Sequence, residues 1–373
     1  MSLVPGRRRK SSRVTDKLAD VCRGRWSATQ LSPAEADEFL EAARLHRIAP
    51  LAQVVTRDSA PDLSERLRPD RHTAMARNMV APVVLGELGR VLDGLPWLTF
   101  KGATLSATAH PRPGLRTFMD IDALVSPADL REACRRLGEA GWHMLDMDDM
   151  LAARPIPGEM HWVSPWGVNL DLHWSMINRE ARRNRFSIRT DELIQRRRTV
   201  SLGDVEVPTL DLYDALVHVC VHSSLDGANR LLQLVDADGL ARQIHDWRML
   251  ADRARRWRAG AQVWLVLNRA RQVMGTPLPD GLAGDLAVSA GLRALLGVVD
   301  RAAPVAAARS EHGLPRLIAR ALHSTLVATT GAVTRNAIRG VRDRLRPPPT
   351  PVDRVPATSA TLSGFLAVVE AHR

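Results

Sequence analysis

The sequence predicts an α+β protein: a small mixed-sheet core with N-terminal helices before it and a C-terminal helical bundle after it. Three observations carry this. Ser-Pro pairs open amphipathic runs at residues 32 and 126. Between residues 95 and 178 short apolar segments alternate faces with the period of two that marks strands. From Thr209 onward the apolar residues recur at helical spacing instead.

Taken in order, residues 1–30 are expected to be a basic, flexible tail. Residues 31–94 hold the N-terminal helices. "SPAEADEFLEAARLHRI" (32–48) supplies Ser32 as cap, Pro33 in the first turn and Glu35 three residues after the cap, and a second helix follows over Thr73 to Leu92. The core spans 95–178. "LPWLTF" (95–100) reads as a buried strand, and "KGATLSATAH" as a turn into a helix that Pro111 ends. "FMDIDALV" (118–125) is the next strand, and "SPADLREACRRLGEAG" (126–141) is a helix closed by Gly141. "WHML" is a third strand candidate, and "MHWVSPWGVNLDLHWSM" (160–176) is a hairpin turning at Pro165 to Gly167. Residues 179–345 form the helical domain, and 346–373 a Pro-rich linker, "RPPPTPV", with the C-terminal segment.

Composition narrows the function classes. Of 373 residues, 45% are hydrophobic and 25% charged, so a sizeable core can be buried. No apolar run approaches the ~20 residues of a membrane span, Ala321 to Thr334 being the longest candidate. The basic start lacks an apolar stretch after it, so no secretory signal is expected. Cys22, Cys134 and Cys220 form no paired motif and suit buried positions in a reducing, cytoplasmic setting. The net charge of +11 sits in the flanks: residues 1–17 carry six basic side chains against Asp16, and 301–347 carry nine arginines against Glu311 and Asp343. The nearly neutral body argues against a nucleic-acid groove through the core. Lysine is almost absent, and Lys101 is the one outside the N-terminal tail, which suggests a position that needs a point charge rather than a planar fork.

Candidate chemistry centres on two strands. On 118–125, Phe118, Asp120, Asp122 and Leu124 share one face, while Met119, Ile121, Ala123 and Val125 form an apolar face suited to the core. On 168–174, Asn169, Asp171 and His173 share one face, with Val168, Leu170, Leu172 and Trp174 opposite. If matched faces pair, three carboxylates converge. Hard oxygen donors on rigid backbone are what Mg²⁺ needs when substrate phosphates complete its shell. Cations between them would offset their mutual repulsion.

"LTFKGATLSATAHPRPGLRTFMDIDALVSPADLREACRRLGEAGW" (98–142) resembles the nucleotidyltransferase superfamily with the DNA-polymerase-β-like core. It is most similar to a branch of uncharacterised bacterial nucleotidyltransferases that share Lys-Gly, then Arg, then Asp-Ile-Asp. The resemblance spans about residues 80–275. It implies that Asp120 and Asp122 hold two Mg²⁺ ions and that Asp171 completes the metal site and accepts the proton of an attacking hydroxyl. It also implies that Gly102 marks the backbone's approach to the NTP phosphates. Lys101-Gly102-Ala103 stands where the wider superfamily has Gly-Gly or Gly-Ser, which leaves the hydroxyl ligand of the phosphates to Thr104 or Ser106. Lys101 and Arg116 are the cations expected on the triphosphate. The reaction so implied is Mg-dependent transfer of an NMP from an NTP to an acceptor. A small hydroxylated molecule is favoured, a protein side chain next and RNA last. Two rivals remain open at this point: a non-catalytic nucleotide-binding or scaffold module with basic flanks, and an amphipathic helix over 317–346 docking on anionic membrane.

Other constellations read more plainly. His218 and His222 share a helix face and suit packing, the wall of a cleft or, with a third ligand, a metal. Asp236 and Asp238 are expected on a helix surface or turn, and "DMDD" (146–149) in a solvated loop. The arginines of "NREARRNRF" and "QRRR" are expected on a solvated helix face, with an anionic acceptor as the alternative. Trp162, Trp166 and Trp174 are assigned to core packing, with base stacking as the alternative.

Overall fold

The computed structural model describes residues 12–345 and 355–372. Among these, seven strands form one mixed sheet: β1 (Trp97–Phe100), β2 (Ile121–Val125), β3 (His143–Met144), β4 (Glu159–Val163), β5 (Asn169–His173), β6 (Arg198–Leu202) and β7 (Val205–Thr209). Their order is β3-β4-β5-β2-β1-β7-β6. β2 and β5 run parallel, which sets Asp122 beside Asp171 and Leu124 beside His173. β4 returns antiparallel to β5, with His161 opposite Asp171 and Glu159 opposite His173.

The alternation in β2 and β5 divides the interior into two cores. Ile121, Ala123, Val125, Leu170, Leu172 and Trp174 pack with Val84, Leu85 and Leu88 of helix Pro61–Val91, with Leu130 and Leu137, and with Phe365, Leu366 and Val369. The opposite face gives Leu98, Phe100 and Leu124 to the larger core built by the helices from Leu212 to Leu322. Asp122, Asp171 and His173 therefore lie on the face that meets the helical domain. The expectation of matched strand faces holds, with one correction: Met119 is exposed, because the strand begins at Ile121 and the residues before it are not held to the pleat.

The Ser32 capping box forms as expected. The Glu35 amide donates to Ser32 Oγ, and the Ser32 amide donates to Glu35 Oε2 at 2.9 Å. Three boundaries differ. Ser12–Cys22 is a helix with Val14, Leu18 and Val21 buried, not tail; an apolar stripe every three to four residues, broken up by charge, escapes a compositional reading. Residues 1–11 of the expected tail lie outside the described residues. The sheet also gains β6 and β7, a hairpin turning at Gly203 and Asp204 inside the stretch read as helical. Finally, Ser359–Glu370 is a helix that returns to the sheet through Phe365 and Leu366, while "RPPPTPV" lies outside the described residues.

The stretch from 317 to 346 is not one helix. Leu314–Arg320 and Leu326–Leu345 are separate, and Ile318, Ala319, Ala321 and Leu322 are buried against the helical core. That apolar face is spent inside the protein, which removes the single membrane-docking helix. Among the described residues, no helix is long and apolar enough to cross a membrane. Cys134 and Cys220 are buried free thiols, as expected, and burial raises the Cys134 thiol to about 12.

Candidate active site

Lys101 joins β1 to the short helix Gly102–Thr108, with φ 60° and ψ −140°. A non-glycine residue held at such a backbone costs on the order of 1–3 kcal/mol and persists where its side chain is needed. The Lys101 ammonium lies 2.6 Å from Asp122 Oδ1. The same oxygen receives His173 Nε2 at 3.0 Å. Asp122 is almost wholly buried, which by itself would raise its pKa, but Lys101 and His173 hold it well below the usual carboxylate range. Burial would likewise lower the Lys101 pKa; Asp122, with Asp120 and Glu159, reverses this and raises it.

Asp171 forms no ion pair with a cation among the described residues. Burial, then the charges of Asp122 and Asp120, push its carboxyl up to about 6. Two carboxylates in register thus differ in basicity: Asp122 is fixed as an anion, and Asp171 is poised to take or hold a proton. Asp120 is also raised, by burial and by Asp122.

Ligand atoms of Asp122, Asp171 and His173 lie within 4.8 Å of one another, the one such cluster among the described residues. Asp120 stays outside it. The sequence pairs Asp120 with Asp122 as metal ligands; Asp120 sits just before β2 and lines the same cleft. The donor set suits Mg²⁺, because two hard carboxylates are available and Asp122 Oδ2 accepts no hydrogen bond among the described residues. His173 is bonded to Asp122 through Nε2, and its Nδ1 sits 3.3 Å from Glu159 Oε2. It orients the Asp122 carboxylate. Alternation had placed His173 on this face without giving it a role.

Two cavities open on either side of this cluster. The first, about 250 Å³, is lined by Lys101, Gly102, Arg116, Arg47 and Arg230 together with Asp120 and Asp122. The second, about 330 Å³, holds Asp120, Asp171, Glu159, Asn178 and Arg182. Lys101, Asp120, His218, His222 and Asp226 belong to both, so the two are lobes of one cleft between sheet and helical domain. His218 and His222 form the dividing wall. Their rings stack at 5.9 Å, and His218 meets Phe100 edge-on at 5.1 Å. Burial lowers both pKa values, so they stand as neutral rings near pH 7.

The remaining expected phosphate ligands divide. Gly102, at φ 29°, carries the backbone close to the Asp120 carbonyl, and a Cβ there would sit 3.4 Å from that oxygen. Thr104 is not at the cleft: it is buried and its hydroxyl donates to the Lys101 carbonyl at 2.9 Å, fixing the turn instead. Ser106 is also buried, and its hydroxyl finds no partner among the described residues. Arg116 lines the first lobe but is held by Asp236, with Nε 3.0 and 3.1 Å from its two oxygens. Asp236 also accepts from His110 Nε2 at 2.8 Å. The expectation of a surface Asp236 is therefore corrected: it is buried and anchors the loop of Arg116 to helix Leu231–Ala241. Asp146 of "DMDD" is likewise buried, bonded to His161 Nδ1 at 2.7 Å. Trp162 and Trp174 are core residues, whereas Trp166 is exposed.

The chain matches the model of a family described as uncharacterised nucleotidyltransferase over residues 32–275. No curated protein matches it. Among solved structures, an antigenic nucleotidyltransferase-like protein from Paracoccidioides brasiliensis is similar at 11% identity and a TM-score of 0.35, covering 54% of this chain and 95% of that one. That likeness is too slight to argue from.

Proposed function

Because the chain belongs to the family of uncharacterised nucleotidyltransferases, we propose that it transfers an NMP from an NTP to a hydroxyl of a small-molecule acceptor. The observation that carries this reading is the parallel register of Asp122 and Asp171, with the Lys101 ammonium on Asp122 and a two-lobed cleft around them. The triphosphate occupies the lobe of Lys101, Gly102, Arg47 and Arg116. The acceptor enters the lobe of Asp171.

Asp122 and Asp171, with Asp120 at the mouth, would hold Mg²⁺, which supplies charge neutralisation at the reacting phosphates and, as a pair of ions, the two-metal form of that chemistry. Lys101 offsets charge that builds on the departing pyrophosphate. Asp171 accepts the proton of the attacking hydroxyl. His173, with Glu159 beside it, keeps Asp122 oriented, and His218 and His222 line both lobes. Most of the rate enhancement comes from positioning and from charge stabilisation. Thr104 is left out of the phosphate ligands, since its hydroxyl serves the Lys101 carbonyl.

The test supplies NTP labelled at either the α or the γ phosphorus to the full chain with Mg²⁺ and a small-molecule cell extract. Label from the α position should appear on an acceptor and γ label in pyrophosphate. Transfer of γ label to the acceptor would mean a kinase and end this reading.

A further inference from the structure

The lobe of Asp171 does not end at Arg182. Through Asn178, Arg179 and Arg182 it adjoins a third cavity of about 910 Å³. Arg185, Arg320, Arg335, His161 and His323 complete the basic part of that wall. Its carboxylates are Asp146, engaged by His161, and Glu180, which forms no ion pair among the described residues.

The arginines of this segment divide by what they bond. Arg183 donates to the carbonyls of Ile156 and Asn178, and Arg185 to those of Arg320 and Leu322, so both staple the chain. Arg179 and Arg182 make no side-chain hydrogen bond or ion pair among the described residues, although Arg182 is half-buried. Arg182 feels the charges of Arg320, Arg179 and Arg185, offset in part by Asp226; its pKa falls to about 10, from burial first and the cations second. Arg320 gives its Nε to the Leu225 carbonyl and keeps its outer nitrogens free of any other partner among the described residues. A half-buried guanidinium among like charges is unfavourable alone and becomes favourable once an oxyanion bridges the group.

We propose that this chamber binds a phosphate or similar compact oxyanion carried by the acceptor, with Arg179, Arg182, Arg320 and Arg335 as its ligands. The acceptor is thus a phosphorylated small molecule whose free hydroxyl reaches Asp171. This rests on the nucleotidyl-transfer reading above. The hydroxyl oxygen bonds to the α-phosphorus as the bond from that phosphorus to the bridging oxygen breaks. The proton goes to Asp171, and pyrophosphate leaves with the electron pair. The cavity lies within the roughly 300–1,000 Å³ of small-molecule sites, which favours a metabolite over RNA.

The experiment follows the ³¹P line width and shift of inorganic phosphate and of glucose 6-phosphate on titration into the full chain, with excess glucose added as an uncharged competitor that should not displace either. The variants are Arg182→Ala and Arg179→Ala; neither side chain bonds any other group among the described residues, so both variants should fold. Both phosphates should bind wild type, and should bind Arg182→Ala at least tenfold more weakly, with Arg179→Ala affected in the same direction. Absence of binding, or equal binding by Arg182→Ala, overturns the proposal. So does arginine-dependent binding of a 12-nucleotide RNA with neither phosphate bound. A parallel thermal-shift arm with Mg²⁺ and NTP separates the two readings. Phosphate binding without any NTP shift keeps the anion site and removes nucleotidyl transfer, and the converse removes only the anion site.

Discussion

Replacing Asp236 by Asn tests the tie between the catalytic loop and the helical domain. The two side chains have nearly the same shape, so the change removes charge and little else. In the native protein Asp236 accepts both bonds from Arg116 Nε and one from His110, and all three residues are at least nine-tenths buried. Burial alone would raise the Asp236 carboxyl; Arg116 and His110 outweigh it and keep the pKa below normal. Without the anion, the Arg116 guanidinium is left with a neutral amide oxygen and the carbonyls of Gly102 and Thr117, each at 3.4 Å, and no counter-charge bonded to it among the described residues. Leaving one partner of a buried pair uncompensated costs about 3–5 kcal/mol. Urea unfolding followed by tryptophan fluorescence should show that loss, and Arg116→Gln added to Asp236→Asn should recover at least ~1 kcal/mol of it. A single-variant loss below ~1 kcal/mol would refute the reasoning, because Arg116 would then be satisfied without Asp236.

Three further outcomes are expected. Gly239→Ala should destabilise by about 1–3 kcal/mol in the same unfolding assay despite alanine's better helix propensity, since the new Cβ would lie 1.9 Å from the Ala109 carbonyl oxygen. The Asp146 hydrogen bond, opposed by burial, raises the His161 pKa from 6.5 to about 9, so the pair's contribution is complete below pH ~6.5 and vanishes as pH rises through 9. With about a third of the ring exposed, screening leaves roughly 1 kcal/mol of that stability, and Asp146→Asn should flatten the loss of Tm between pH 7 and 10. Lys101→Arg should lower NTP turnover about 10²-fold, because a planar fork cannot reproduce a point charge seated 2.6 Å from Asp122.

What the sequence made legible was what alternation encodes. Asp122, Asp171 and His173 could be placed on one face because two short strands each set polar residues against an apolar face, and the parallel register brings those faces together. Alternation also overreached: it extended the first strand back to Phe118 and so gave Asp120 and Met119 a pleat that starts only at Ile121. The hairpin of β6 and β7 carried its own signal, Thr199 to Leu202 and Val205 to Thr209 around a Gly-Asp turn, but the arginines before it drew the reading toward a helix.

Long-range partners were beyond reach. Nothing local to "LVDADG" says that Asp236 receives an arginine 120 residues earlier in the chain, and Asp146 in an acidic loop gives no hint of His161. Net charge is equally silent about position: the body is nearly neutral, yet folding gathers Arg179, Arg182, Arg320 and Arg335 around one chamber.

The central claim is a metal-assisted NTP site built on Asp122 and Asp171, and thermal unfolding of the full chain with each of the four NTPs, with and without Mg²⁺, tests it most directly. The account predicts that at least one NTP raises Tm only when Mg²⁺ is present, and that Asp122→Asn and Asp171→Asn, each shown to unfold cooperatively without ligand, lose that rise. A rise that survives in both variants, or no rise with any NTP, would contradict it.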